Sequence, residues 1–219
     1  MADVAILADG VVHDIRNPLN VIRSNLYLLR QRLAEAEPRT IRSLDRIDDQ
    51  VTAALRLLEG LQALYRSDHP QPQRVNLNEL VCRVVESSPQ DHVEYRLGLA
   101  PDLPLVTADP ELLEAALRAV LRNAQDAVMR AESVPERTVA LETSSDASAV
   151  TLSVEDRGLG IPAEHLPRIF EPFFTTRRAH AGLGLALTAK ILAAQGGSVR
   201  VESRPGAGTT VRLVLSRER

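Results

Sequence analysis

The sequence predicts an α+β protein: an N-terminal helical hairpin that dimerises as a four-helix bundle, followed by an α/β sandwich. Three observations predict it. Apolar residues recur at alternating spacings of three and four over the first 65 residues or so, which is a heptad seam and not a strand pattern. A proline-punctuated stretch, Ser67 to Gln73, interrupts that regime. Beyond it, alternating strand patterns and amphipathic helices take turns, as in a layered domain. The expected organisation is therefore 1–67 hairpin, 68–73 linker and 74–219 sandwich.

The length of 219 residues suits one large domain or two small ones, and it can bury a core without disulfides. The single cysteine, Cys82, excludes an intramolecular disulfide and any multi-cysteine zinc site. With 26 basic against 29 acidic residues the net charge is −3, so nothing points to nucleic acid or an anionic membrane as the main partner. No apolar run reaches the roughly 18 residues of a membrane span, and the acidic N-terminus does not read as a signal peptide. A reduced, cytoplasmic setting is expected. Lys190 is the one lysine, so phosphate contacts must come largely from arginine or backbone. All three phenylalanines, Phe170, Phe173 and Phe174, fall within five residues.

In the first helix Ala5, Ala8, Val12, Ile15, Leu19, Ile22, Leu26, Leu29 and Leu33 form the seam. AEAEPRT breaks it, with Pro38 suited to the first turn of a second helix. Leu44, Ile47, Val51, Ala54, Leu58, Leu61 and Tyr65 repeat the pattern. An isolated hairpin leaves one apolar side uncovered, so a homodimer is expected. Past the linker, RVNL reads as a short strand, LNELVCRVVES as a helix, and VEYRLGL and PLVTA as strands. Asp109 and Pro110 open a long amphipathic helix as cap and first residue. RTVALETS and AVTLSVED form a hairpin turning at 145–147. Residues 157–181 are irregular, GLGLALTAKILAAQ is a helix, and SVRVES with TTVRLVLS make a last hairpin.

Four segments carry candidate chemistry. His13 and Asn17 lie one turn apart on a helix face outside the seam. A neutral imidazole there is a competent nucleophile, Asp14 can fix its tautomer and accept a proton, and Pro18 removes the hydrogen bond to the Asp14 carbonyl. A solvated surface histidine beside a kink is the bland alternative. Asp156-Arg157-Gly158-Leu159-Gly160 follows a strand, and its carboxylate can accept from an adenine amino group where two glycines permit close approach. Gly182-Leu183-Gly184-Leu185 opens a helix whose N-terminal amides suit phosphate. Asn123, within the long helix, offers a neutral oxygen to Mg²⁺. Each of these taken singly is also an ordinary turn or polar helix face.

Taken in order, the segments resemble the histidine kinase core of two-component systems over essentially the whole chain. HDIRNPL resembles the phosphoacceptor box, LRNAQDA the Asn box, DRGLG and GLGL the two Gly boxes, FEPFFTT the Phe box, and RPGAGTT the last glycine turn. The short lid is similar to that of the nitrogen-regulation subgroup. The resemblance implies a Bergerat-type (GHKL) ATP-binding domain joined to a dimerisation hairpin, with ATP and Mg²⁺ as cofactors. It implies that His13 accepts the γ-phosphoryl group with Asp14 as base, and that Asn123 holds Mg²⁺. Asp156 would read adenine, with Gly158 and Gly160 shaping the pocket and Thr209 nearby. Gly182, Leu183 and Gly184 would meet phosphate, and Asp126 and Arg177 join the nucleotide set. The Phe cluster would anchor the lid against its own domain or the hairpin. The phosphoryl group would pass to an aspartate of a response regulator receiver domain, and Asn17 would orient the water that later hydrolyses it. Asn17 is equally readable as a turn former before Pro18. The sequence departs from the family at Ala119, at His180-Ala181 and at Arg177, which stands where lysine is frequent. A non-enzymatic scaffold with a weakened ATP domain is the rival reading, as is another Bergerat ATPase. Twelve residues precede His13, so input is expected from a longer chain or a separate sensor protein.

Overall fold

The computed structural model describes residues 2–33, 37–88, 93–131, 137–177 and 181–217, with side chains from Val12 onward except those of His13 and Arg56. Two long helices come first, α1 (Ala2–Arg32) and α2 (Pro38–Arg66), and Pro38 takes the first turn of α2. Helix α1 runs straight through Pro18, so the proline does not end it. The pair is antiparallel: Arg16 donates to Gln62 at 2.6 Å, and Arg30 pairs with Asp45 near the other end. Leu26, Leu44, Val51 and Leu55 are buried between them, flanked by Leu19 and Leu33. The rest of the seam is not covered within one chain. Ile15, Ile22 and Leu29 recur every seven residues and are 44%, 44% and 42% exposed, and Ile47 and Leu61 of α2 are also open.

The second unit has a small antiparallel sheet, β1 (Gln73–Val75) with β3 (Val106–Ala108), and a five-stranded sheet. The larger sheet holds β2 (Glu94–Gly98), β4 (Thr138–Ser145), β5 (Ala149–Asp156), β6 (Ser198–Arg204) and β7 (Gly208–Ser216), in the order β2-β4-β5-β7-β6. Only β2 against β4 is parallel, so the sheet is mixed. The β4–β5 turn rests on Asp146, whose carboxylate accepts from the amides of Ser148 and Ala149. Helices α3 (Leu77–Glu86), α4 (Pro110–Met129) and α5 (Gly184–Ala194) complete the sandwich, with α4 against β4, β5 and β7 and α5 against β6 and β7. Period-two apolar residues of the strands (Val139, Leu141, Val150, Leu152, Val154) meet the apolar stripe of α4 (Leu113, Leu117, Val120, Leu121), all essentially removed from water.

Asp109 ties several parts together. Its carboxylate caps α4 by accepting from the Glu111 and Leu112 amides at 3.0 and 3.1 Å. It also accepts from the Gln71 amide at 2.9 Å and faces Arg66 at 3.4 Å. Burial pushes this carboxyl up, but the Gln71 and Leu112 amides and the Arg66 guanidinium outweigh burial and hold it below its ordinary value. The C-terminal half of α2 thus docks on the sandwich. Ala63 joins the sandwich core, Glu59 pairs with Arg122 at 3.9 Å, and Lys190 pairs with Asp68 at 2.9 Å while donating to the Leu64 carbonyl at 3.3 Å.

Candidate active site

A cavity of about 920 Å³ opens between α4, the end of β5, the 157–177 segment, the start of α5 and the flank of α2. Asp156 lies at one end. It is the last residue of β5, paired in register with Thr209 of β7, and only 5% exposed. One carboxylate oxygen accepts from the Gly158 amide at 2.9 Å. Burial pushes its pKa up to about 6, against the opposing pull of the Gly158 and Thr209 amides and Arg177. A buried carboxylate facing an enclosed space is costly unless a donor meets it, and a nucleobase amino group is such a donor.

The glycines of the 156–160 turn are tightly packed against the protein's own backbone. A Cβ on Gly158 would fall 2.4 Å from the Ala127 backbone, and one on Gly160 would fall 2.0 Å from the Arg204 carbonyl oxygen. They let the strand end approach the protein's own backbone, and the cavity follows from that packing. Gly160 lines the cavity and Gly158 does not.

At the other end, Asn123 on α4 meets the start of α5. A Cβ on Gly184 would lie 3.3 Å from the Asn123 amide nitrogen, so glycine there lets the two motifs touch. No side chain caps α5. Its first residues, Gly184 and Leu185, line the cavity, and the free amides and positive dipole end of a helix N-terminus suit phosphate. Gly182 and Leu183 line the same wall. Gly182 adopts φ +68°, and a Cβ would strike Phe173 backbone at 2.5 Å. The Gly182 carbonyl accepts from the Phe173 amide at 3.0 Å, which closes the base of the lid segment. Phe174 is anchored within its own domain, edge-on to His165 with ring centroids 5.6 Å apart and under the Arg168 guanidinium at 4.4 Å. Phe173 is 71% exposed and anchors nothing in this way.

Arg177 reaches the cavity from the lid, and its Nη1 donates to Asp126 Oδ2 at 3.2 Å. Asp126 itself does not line the cavity. His180 falls outside the described residues. Ala119 lines the wall beside Gly184, where the resembling family frequently has a second asparagine. Among the described residues no group of three or more His, Cys, Asp or Glu side chains could hold a metal ion.

The phosphoacceptor candidates stand apart from this cluster. His13 lies on α1, its side chain outside those described; Asp14 and Asn17 are exposed on α1 and do not line the cavity. The link between the two places is Gln62, which accepts from Arg16 and lines the cavity.

Two family models match the chain in succession. Residues 5–70 match the His Kinase A (phospho-acceptor) domain, and residues 108–219 match the histidine kinase-, DNA gyrase B- and HSP90-like ATPases. The chain belongs to the histidine kinase family. This kinase core is 34% identical over 219 residues to the signal transduction histidine-protein kinase AtoS of Escherichia coli K12, covering 98% of this chain and 35% of AtoS. It is 34% identical to the sensor histidine kinase ZraS of Klebsiella oxytoca, covering 95% of this chain and 45% of ZraS. The chain thus spans less than half the length of these relatives. Among solved structures, full-length ShkA in complex with AMPPNP superposes with a TM-score of 0.66 at 27% identity, covering 97% of this chain and 46% of ShkA. The mycobacterial sensor histidine kinase MprB superposes with a TM-score of 0.58 at 27% identity, covering 68% of this chain and all of that one. No helix among the described residues is long and apolar enough to cross a membrane.

Two features of the kinase core's site were not singled out by sequence. Arg130, just past α4, lines the cavity, and its place one turn beyond Asp126 was the available signal. Gly60 and Ala63 of α2 also line it. Their small size on α2, outside the seam, carried no sign that the sandwich docks there.

Proposed function

We propose that the chain is an ATP-dependent protein histidine kinase that phosphorylates itself on His13 and passes the phosphoryl group to an aspartate of a response regulator. The observation that supports this best is the convergence of Asp156, Asn123 and the uncapped start of α5 on one cavity, docked against a hairpin that carries HDIRNPL. Asp156 accepts from the adenine amino group, with Thr209 beside it. Gly182, Leu183 and Gly184 present backbone to the phosphates, and Arg177 adds a positive charge that arginine keeps under all ordinary conditions. A magnesium ion on Asn123 would neutralise triphosphate charge. Catalysis is then positioning and charge stabilisation. A neutral ring nitrogen of His13 attacks the γ-phosphorus, the bond to the bridging oxygen breaks, and ADP leaves. Asp14 accepts the proton from the other ring nitrogen.

In this reading 1–67 is the dimerisation and phosphotransfer unit, 68–73 the linker and 74–219 the nucleotide domain. Two hairpins form a four-helix bundle in the cytoplasm, with input from a sensor on the same or another chain. The short lid between FEPFFTT and GLGL supports a place near the nitrogen-regulation subgroup. Asn17, one turn beyond His13, orients water against the regulator's aspartyl phosphate. The deciding test incubates the chain with ATP and Mg²⁺ and looks for acid-labile phosphohistidine. His13→Ala is expected to abolish the label while ATP still binds; a wild-type level of label in that variant rejects His13. Asn17→Ala is expected to spare that label and slow dephosphorylation of the regulator.

A further inference from the structure

Asp126 and Arg177 stand 51 residues apart in sequence, yet they form a 3.2 Å ion pair between α4 and the lid. The two partners differ in where they sit. Arg177 lines the cavity and Asp126 lies outside it, one turn along α4 from Asn123. The Arg177 backbone is held by a tight turn, since its amide donates to Thr175 Oγ1 at 3.0 Å. Its side chain is only a quarter exposed, and a second cation, Arg130, acts on it from the same cavity wall. Burial pushes the guanidinium down from its ordinary value; Asp126 and Asp156 oppose that shift and Arg130 reinforces it. Two guanidiniums facing one partly enclosed space repel unless anions join them. Asp126 supplies one anion from behind. The space in front suits a second.

We propose that Asp126 is a positioning residue: by holding one amino nitrogen of Arg177 it turns the remaining N–H donors of the guanidinium toward the outer phosphates of the nucleotide, and so makes the site select oligophosphate over monophosphate. A guanidinium has five N–H donors in a rigid planar fork, so a carboxylate on one edge leaves another edge to bind oxygen anions. A flexible arginine without that partner has to give up rotamer freedom on binding. The inference rests on the reading that this cavity holds ATP, and it adds a residue that touches no nucleotide.

The test measures affinity for ATP and for AMP, by calorimetry and by competition against a fluorescent ATP analogue, in wild type, Asp126→Ala, Asp126→Glu, Arg177→Ala and the double variant. Asp126→Ala is expected to weaken ATP about tenfold, the scale of one charge-assisted hydrogen bond, and to leave AMP unchanged. Asp126→Glu restores most of the loss. The double variant is no worse for ATP than Arg177→Ala alone, because the contribution of Asp126 to phosphate binding runs through Arg177. Unchanged or tighter ATP binding in Asp126→Ala overturns the proposal, as do parallel losses of ATP and AMP, or losses that multiply in the double variant. Failure of the wild-type chain to bind either nucleotide would instead reject the cavity's assignment, and this inference with it.

Discussion

The hairpin and the sandwich bury apolar surface to different degrees. In the sandwich, Leu117, Leu141, Val139 and Ile191 have no exposure left, because three helices and a five-stranded sheet close on one another. In the hairpin, Leu26, Leu44, Val51 and Leu55 are buried between the helices and Leu19 and Leu33 only partly, while the Ile15, Ile22 and Leu29 series stays open. Capping differs as well. Asn76 and Asp109 accept the first free amides of α3 and α4, whereas no side chain caps α2. The sandwich thus closes its core within one chain, whereas the hairpin leaves an apolar series open, as half of an interface would.

That contrast can be broken from either side. The largest effect is expected from Leu117→Ala, which removes a fully buried side chain from the sandwich core and should cost about 2–5 kcal/mol in chemical denaturation. Ile22→Asp should leave the melting of the sandwich unchanged, yet light scattering should show the dimer dissociating, since a charge cannot be buried unpaired in a bundle core. A dimer surviving that change would mean the open seam is not the interface. Asp156 sharpens the comparison through pH. Its carboxyl, raised to about 6 by burial, is charged above that pH and neutral below it. ATP affinity should therefore be flat above about pH 7 and fall as pH drops through 6, and Asp156→Asn should abolish that step while weakening binding overall. The sign for folding is opposite: the raised pKa penalises the folded chain above 6, and the penalty fades as pH falls toward 4. The smallest effect is expected from Asn76→Ala, about 1 kcal/mol from loss of an α3 cap that α2 never had.

Much of this was legible in the sequence because its signals are local. Asp109-Pro110 marks the start of α4, and Pro38 marks that of α2, through chemistry confined to one turn. Period-two runs placed β4, β5 and β7. The candidate site residues Asp156, Asn123 and Gly184 were legible as motifs, but the meeting of Asn123 with Gly184 was not, since it depends on the long-range approach of α4 to α5. The glycines of 156–160 show the limit most clearly. Sequence marks a place where a Cβ does not fit, and only the fold reveals that Ala127 and Arg204 are what it would strike. The docking of α2 was illegible for the same reason: Arg66, Asp68 and Glu59 look like ordinary surface charges until Asp109, Lys190 and Arg122 come opposite them.

One of those contacts has a spectroscopic consequence. Lys190 is the single lysine among 26 basic residues, and it stands on the seam between α2 and α5. A chain grown on lysine labelled with ¹⁵N at Nζ alone would therefore carry one labelled nitrogen, at the place where α2 and α5 meet. An amine-selective acylating reagent would act on one side chain only. Its rate would follow how often the ammonium leaves Asp68 and the Leu64 carbonyl, reporting directly on the local contact between α5 and the end of α2.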